Sequence, residues 1–318
     1  MSKRDKYPCK EVEPETFLEN DEVEKYCKDL ENTQFTQDDF EKLYNCVHCN
    51  ECGTSEERAR LNDKFLRDDN TMPGLKEVLV NFRENGTPYQ SNKMRIRRPD
   101  GIPGESDTLF FMGCLSTIKL RKFTEHALEY LLKKEVDFTI LKTEVCCGYP
   151  LFASGAFEDY EDIKAQNVKI FKGFKKIICL CPACYHIFRS DYPNINVEYK
   201  FIADLLEPTR EKKSGSVKIQ HLCQLKNRGR PDVAAKVEKV LKESGYSVDP
   251  VPMWCCGGGY GYWGRTDIID KIAEKRMEDF KGSDYFTTYC SGCYWILKTF
   301  HRRCDVDSKL KDLFQLLL

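Results

Sequence analysis

The chain has 318 residues, of which 41% are hydrophobic, and its 50 basic and 51 acidic side chains nearly cancel. This length can bury two or three domain cores, and the balanced charge argues against general binding to nucleic acid, which takes a basic excess. A chain this long does not need a disulfide framework, and 17 cysteines cannot all pair within it. We therefore expect thiols that bind metal in a reducing, cytoplasmic compartment. The charged first residues and the short uncharged stretches predict neither a signal peptide nor a membrane span.

Residues 1–92 are rich in Asp, Glu and Lys, and their apolar residues recur at helical spacing, as in the segment 75–82. This pattern predicts helices. The following segment, residues 92–104, combines basic side chains with Pro and Gly, which predicts a linker along the surface.

Three cysteines in the first segment are each separated by two residues: Cys46, Cys49 and Cys52. This is the core of a ferredoxin-type ligand run, although the usual fourth position is Glu56. In two-cluster ferredoxins that fourth cysteine ligates the other cluster, so a protein with one cluster would lose it. Cys9 resembles the remote cysteine that closes such a run in helical ferredoxin domains. We expect Cys9 as the fourth ligand, with Cys27 or a site without a fourth cysteine as alternatives.

From residue 105 onward the chain repeats itself. Five cysteines of a first set each recur 109 residues later in a second set, a common offset that indicates an internal duplication. The first set is Cys114, Cys146, Cys147, Cys181 and Cys184, and the second is Cys223, Cys255, Cys256, Cys290 and Cys293.

Short apolar runs precede the cysteines in both copies and predict buried strands. Thr108–Met112 and Ser216–Gln220 end just before the first cysteine of each set, and Lys176–Leu180 and Tyr285–Tyr289 end just before the Cys-x-x-Cys pair. Helical spacing between these runs predicts strand–helix alternation, and hence two similar α/β units. The amphipathic tail, residues 310–318, predicts a closing helix.

Five thiolates in each copy exceed the four that saturate zinc, whereas a multi-iron cluster can use all five. Zinc in one or both copies stays an alternative. Gly148 and Gly257 follow the adjacent cysteines and allow a tight turn beside a bulky cofactor. The glycine run 257–261 is interpreted in the same way rather than as a nucleotide loop. Cys179 and Cys304 lie outside the repeat and are interpreted as small core residues.

Both copies read Cys, 31 residues, Cys-Cys, 33 residues, Cys-x-x-Cys. This pattern is similar to the CCG signature of the heterodisulfide reductase family, and the whole arrangement resembles the single-chain, D-type catalytic subunit of that family and its relatives in glycolate, lactate and glycerol-3-phosphate oxidation. The resemblance implies one noncubane [4Fe-4S] cluster per set of five cysteines, with a disulfide cleaved between the two clusters. It also implies an N-terminal [4Fe-4S] cubane cluster.

The expected fold is therefore α+β overall. An all-α helical ferredoxin-like domain with its linker occupies residues 1–104, and two duplicated α/β CCG domains occupy residues 105–213 and 214–318.

Three functions are weighed. The first is an iron–sulfur oxidoreductase subunit that reduces a small-molecule disulfide, or oxidises the corresponding thiols, in a complex with other redox subunits. The second is an electron-transfer subunit between a flavoprotein dehydrogenase and a quinone or membrane cytochrome, which would place the chain at the membrane through its partner. The third is a zinc-bearing scaffold. A cavity between the modules lined with basic residues would favour the first. No catalytic side chain is assigned, although His221 and Lys226 are possible proton donors.

Overall fold

The computed structural model describes residues 7–258 and 264–318. Its helices are α1 Pro8–Val12, α2 Asn20–Lys28, α3 Phe40–Leu43, α4 Ser55–Arg67, α5 Leu75–Asn85, α6 Cys114–Lys119, α7 Arg121–Lys133, α8 Tyr149–Ser154, α9 Phe157–Phe171, α10 Pro182–Ser190, α11 Cys223–Lys226, α12 Asp232–Glu243, α13 Thr266–Met277, α14 Ser291–His301 and α15 Leu313–Leu317. Its strands are β1 Thr108–Phe111, β2 Lys176–Cys179, β3 Glu198–Phe201, β4 Ser216–Gln220, β5 Ser247–Asp249, β6 Tyr285–Thr288 and β7 Lys309–Asp312.

The elements described before β1 are all helical. The longest, α4, begins at Ser55 and turns a buried face that includes Leu61 and Phe65 toward the core. That face packs on α2 and on α8, so the N-terminal segment is attached to the first repeat through helix–helix contact. Tyr44 and Asn62 strengthen this contact, because each donates a side-chain hydrogen bond to a backbone carbonyl of α8.

Each repeat contains its own parallel sheet. The first has the order β1-β2-β3, and the second has the order β5-β4-β6-β7. An isolated parallel bridge from Leu109 to Thr139 lies beside β1, on the side where β5 lies beside β4. The protein is thus a mixed helix-and-sheet fold in which every described strand pairing is parallel, and the carboxyl ends of the strands in each sheet lie at one edge.

The four strands predicted ahead of the cysteines are confirmed to within one residue. The prediction of a helix over residues 310–318 is wrong at its beginning, because Lys309–Asp312 pairs with β6 as an edge strand and only Leu313–Leu317 is helical. Edge strands carry charged residues that limit pairing with other chains, and this composition hides them from a search for apolar runs. The same reason explains why β3 was not predicted.

His126 and Asp312 join the two repeats. His126 Nδ1 on α7 lies 2.8 Å from Asp312 Oδ2, and Asp312 also accepts the backbone N–H of Gln315 at the start of α15. The hydrogen bond to Asp312 raises the pKa of His126, although burial acts in the opposite direction. The ion pair therefore stabilises the fold below the unfolded histidine pKa of about 6.5, and this contribution is lost as the pH rises through the higher folded value.

We expect the unfolding temperature of the wild-type protein to fall by a few degrees between about pH 6 and pH 8, and His126→Gln to flatten that dependence. Thermal unfolding in buffers of constant ionic strength measures it. His301→Gln is the matched control, because His301 on α14 has no carboxylate oxygen within 4.0 Å among the described residues. A His126→Gln protein that keeps the wild-type slope would contradict the assignment.

Candidate metal centre

The predicted ligands lie where strands end and helices begin. Cys114 follows β1 and opens α6, and Cys223 follows β4 and opens α11. Cys181 and Cys290 occupy the N-cap positions of α10 and α14. The positive end of a helix dipole favours a thiolate at such positions. Because the strands are parallel, the ligands of each repeat gather at one edge of its sheet.

A cavity of about 390 Å³ lies between the two repeats, and all ten cysteines of the two sets line it. The other described lining residues are mostly apolar or small, including Tyr89, Leu115, Trp295 and Ile296. Lys119 is the one charged side chain among the described lining residues. The two duplicated sets of thiols therefore face a single, largely apolar space.

Within each set the sulfur atoms lie close to one another. The Sγ atoms are 3.4 Å apart for Cys114 and Cys146, 3.9 Å for Cys223 and Cys255, and 3.2 Å for Cys256 and Cys293. All ten are free thiols. In residues 7–258 and 264–318, no three His, Cys, Asp or Glu side chains are arranged as ligands of one metal ion. The described cavity lining offers thiols without carboxylate or imidazole groups, and this soft donor set fits iron–sulfur clusters.

Hydrogen bonding among the thiols favours the thiolate at particular positions. A hydrogen bond from Cys184 lowers the pKa of Cys181 to about 6. Burial acts to raise the pKa of Cys147, but hydrogen bonds from Cys146 and Cys184 lower it to about 7. In the second repeat, hydrogen bonds from neighbouring thiols similarly hold the pKa of Cys256 well below its usual value. The thiolate is the form of cysteine that binds metal, and these lowered pKa values favour the thiolate at one or more positions in each set.

The glycines after the adjacent cysteines have the left-handed backbone that a tight turn requires, with φ of +79° at Gly148 and +83° at Gly257. A Cβ at Gly148 would lie 2.6 Å from the ring of Tyr160. These glycines are therefore needed for packing against the protein itself, and not only for the approach of a cofactor. Gly113 lies beside the thiols, since its added Cβ would be 3.3 Å from Cys184 Sγ.

The N-terminal thiols form a third group. Burial, followed by the charges of Cys46 and Cys49, raises the pKa of Cys9, which therefore lies beside the ligand run. Cys27 lies elsewhere on α2, where its Sγ is 3.8 Å from the carbonyl oxygen of Glu57. Of the two candidates for the fourth ligand, Cys9 is the one that lies beside Cys46 and Cys49 in the fold.

The loop that carries this run docks on α11 of the second repeat. Gln224 Nε2 donates to the carbonyl oxygen of His48 over 2.8 Å, and Asn227 Nδ2 donates to that of Cys49 over 2.9 Å. The Cys49 thiol is hydrogen-bonded to Cys255, and this bond lowers the pKa of Cys49. The N-terminal group of thiols thus touches the second set directly.

Glu144 is a site residue that sequence reasoning missed. Its carboxylate is buried and accepts the backbone N–H groups of Met112, over 2.9 Å, and Gly113, over 2.7 Å. Burial raises the pKa of Glu144 to about 7, against the effect of these two hydrogen bonds. The carboxylate fixes the turn that delivers Cys114. The sequence does place an acidic residue, Glu144, two positions before the adjacent cysteines, and this could have indicated its role. The second repeat has Met253 at the equivalent position.

The other residues singled out in the sequence, which are two possible proton donors and two cysteines outside the repeat, lie outside the described cavity lining. His221 is hydrogen-bonded to a tyrosine and pairs with a glutamate, and Lys226 pairs with a glutamate of the N-terminal loop, so neither is placed as a proton donor in the cavity. Cys179 is fully buried within β2, and Cys304 is partly buried after α14. Residues 259–261 of the glycine run lie outside the described residues.

The duplicated motif matches one known family in both copies. A family described as "CCG: Cysteine-rich domain" matches residues 108–189 and residues 217–298, about half of the chain. The chain belongs to this family. The prediction that the chain contains two CCG domains is confirmed, and the two matched ranges contain the two sets of five cysteines.

Three curated relatives are similar to this chain over more than half of its length. An uncharacterized iron–sulfur protein of Methanocaldococcus jannaschii is 24% identical over 85% of this chain and 60% of its own length. A subunit of the fumarate reductase (CoM/CoB) of Methanothermobacter marburgensis is 26% identical over 65% of this chain and 45% of its own. EtfAB:quinone oxidoreductase of Syntrophomonas wolfei is 28% identical over 55% of this chain and 28% of its own. The chain thus spans 60% or less of these three relatives.

The chain is thus similar to proteins named as an iron–sulfur protein, a fumarate reductase subunit and a quinone oxidoreductase. None of the helices in the described part of the chain combines the length and the apolar character needed to cross a bilayer.

Proposed function

We propose that this chain is the subunit of an oxidoreductase in which a small-molecule disulfide is reduced, or the corresponding thiols are oxidised, in the cavity between the CCG domains. Ten CCG cysteines would hold two noncubane [4Fe-4S] clusters, and Cys9, Cys46, Cys49 and Cys52 would hold a [4Fe-4S] cubane cluster. The observation that carries this proposal is that all ten CCG thiols line one cavity. The domain boundaries 1–104, 105–213 and 214–318 and a cytoplasmic location are part of the proposal.

The stoichiometry of the reaction fits this duplicated site. A disulfide takes up two electrons and two protons to give two thiols, and its two sulfur atoms separate as the S–S bond breaks. Two clusters held by the ten CCG cysteines would supply one electron each and an iron atom for each sulfur. The chain contributes a mostly apolar cavity, and a contact from Cys49 to Cys255 through which the N-terminal cluster would adjoin the second set.

The lining also limits the substrate. Lys119 Nζ lies 5.1 Å from the ring centroid of Tyr89 at one part of the cavity wall. The rest of the described wall consists of apolar residues, glycines and thiols, with two neutral polar side chains, Gln224 and Ser291. A cation beside an aromatic ring suits one acidic group, whereas the apolar wall suits hydrocarbon. We propose a disulfide with one acidic end and an apolar body.

A second function is favoured by the small number of cations. A cavity built for a disulfide with several acidic groups would carry several basic residues, and its described lining carries one. The alternative is an electron-transfer subunit that links a flavoprotein dehydrogenase to a quinone or membrane cytochrome without binding a disulfide. One relative is named a quinone oxidoreductase, which agrees with this alternative.

Anaerobic analysis of iron, zinc and sulfide, combined with electron paramagnetic resonance, distinguishes the two proposed functions. About twelve irons per chain, with a paramagnetic signal that appears only when the oxidised protein meets a thiol, supports disulfide chemistry. About eight irons with one zinc, and no thiol-dependent signal, supports the electron-transfer subunit. Little iron in an anaerobic preparation would contradict both.

A further inference from the structure

Arg58 lies inside the N-terminal segment, where its guanidinium meets neutral groups. Its side chain is 1% exposed, and Nε and Nη2 donate to Thr54 Oγ1 over 3.1 Å and to the carbonyl oxygen of Leu18 over 2.5 Å. Nη1 is buried and has no hydrogen-bond partner among the described residues. No carboxylate oxygen of the described residues lies within 4.0 Å of this guanidinium, which stacks over the ring of Phe17.

Arg228, which is only partly buried, also meets neutral groups. It donates to His186 Nε2 over 2.9 Å, to Ser55 Oγ over 2.8 Å and to the hydroxyl of Tyr149 over 3.1 Å, all of which are neutral groups. Its Nη1 is also buried without a hydrogen-bond partner, and no carboxylate oxygen lies within 4.0 Å, among the residues the structure describes.

Both positive charges act on the N-terminal thiols. The charge of Arg58 acts on the thiols of Cys46 and Cys9, and the charge of Arg228 acts on the thiol of Cys49. Both arginines also lie close enough to act on the buried His48 within the ligand loop.

A hydrogen-bond path connects one guanidinium to a thiol. Thr54 Oγ1 accepts from Arg58 Nε and lies 3.2 Å from Cys52 Sγ. The same hydroxyl lies 3.3 Å from Asn20 Oδ1, so its one proton can be donated either to that oxygen or to the sulfur when the sulfur is a thiolate. Hydrogen bonds to cluster sulfurs and positive charges near them both stabilise the form of the cluster that carries more negative charge.

A guanidinium buried without a carboxylate partner is unfavourable unless a nearby anion offsets its charge, and Arg58 is in this position. We infer that Arg58 and Arg228 offset the negative charge of the N-terminal iron–sulfur cluster and raise its reduction potential. The inference rests on the ligand set of the proposed function, Cys9 with the run at residues 46–52. Reduction adds one negative charge, which the buried charge of Arg58 and the partly buried charge of Arg228 stabilise. The cluster is then reduced by milder electron donors than an otherwise similar cluster without these arginines.

The test is a potentiometric titration of the anaerobically purified full-length chain, followed by the paramagnetic signal of the reduced N-terminal cluster. We expect Arg58→Gln to lower the ratio of reduced to oxidised cluster at a fixed potential at least tenfold, which is about 59 mV for one electron. Arg58→Lys keeps the charge and should restore most of the ratio. The shift should persist in about 1 M salt, because a buried charge is little screened.

Arg60→Gln is the matched control, since Arg60 lies on the same helix and is exposed. Its removal should leave the ratio unchanged because water and salt screen an exposed charge. An Arg58→Gln ratio equal to that of Arg60→Gln, at an unchanged iron content, would overturn the inference. So would a shift for Arg58→Lys as large as that for Arg58→Gln, because it would indicate a structural contact rather than charge.

If Arg58→Gln does not retain the cluster, its iron content falls by about four atoms, and the inference is tested by the same titration of Arg228→Gln. An at least tenfold fall in the ratio of reduced to oxidised cluster supports the inference, and an unchanged ratio overturns it. Failure of the proposed ligand set is a different result. In that case the wild-type chain itself lacks the third cluster in iron analysis and in the paramagnetic spectrum, and the inference is overturned together with the ligand set.

Discussion

Cys147→Ser is expected to lower the iron content from about twelve to about eight atoms per chain and to reduce disulfide turnover at least ~100-fold. Cys147 lines the cavity and is hydrogen-bonded to Cys146 and Cys184, so its thiolate lies at the centre of the first set. A serine hydroxyl is a poor ligand for iron at neutral pH and leaves that set with four thiols. The loss should be confined to the first CCG domain, because the second set has its own five cysteines.

The duplication provides a matched second variant. Cys256→Ser changes the equivalent position of the second set and should also remove about four irons, leaving the first domain loaded. Cys179→Ala is the control, because Cys179 is buried in β2, close in sequence to Cys181, and lies outside the described cavity lining. It should keep all of the iron. A Cys147→Ser protein with wild-type iron content and turnover would contradict the assignment of this ligand.

Gly155→Ala is expected to lower the free energy of unfolding by about 3 kcal/mol or more. Gly155 ends α8 with φ of +85°, a left-handed conformation that costs any other residue about 1–2 kcal/mol. An added Cβ would lie 2.2 Å from the backbone nitrogen of Asp63 and 2.4 Å from the carbonyl carbon of Asn62. Backbone atoms in the middle of α4 cannot move aside as a side chain can, so α4 and α8 would have to separate.

Gly282→Ala separates backbone strain from this steric contact. Gly282 has a similar φ of +79°, and a Cβ added there would meet no atom of the described residues within 4 Å. We expect it to cost only the backbone strain, about 1–2 kcal/mol. Urea denaturation of both variants under anaerobic conditions measures the difference. Equal effects of the two substitutions would show that the approach of α4 to α8 is not a tight constraint.

Much of the site could be predicted because its chemistry is local in the sequence. The common offset of the two cysteine sets indicated a duplication, and short apolar runs indicated the strands β1, β2, β4 and β6, because parallel strands buried on both faces are apolar throughout. Parallel strands bring their carboxyl ends to one edge, so cysteines placed after them were expected to meet. The edge strand β7 was missed because its exposed side carries lysine and its pairing is defined by β6.

The sequence by itself determined the family, the two sets of five thiols and the strands that carry them, since ligand spacing and apolar runs are properties of neighbouring residues. Only the tertiary structure decided that Cys9 rather than Cys27 lies beside the ligand run, and that both CCG sets line a single cavity. It also decided that Arg58 is buried and Arg228 partly buried, each without a carboxylate oxygen within 4.0 Å among the described residues. These features depend on contacts between segments far apart in the chain, where burial and the distance to a charged partner follow from packing rather than from spacing.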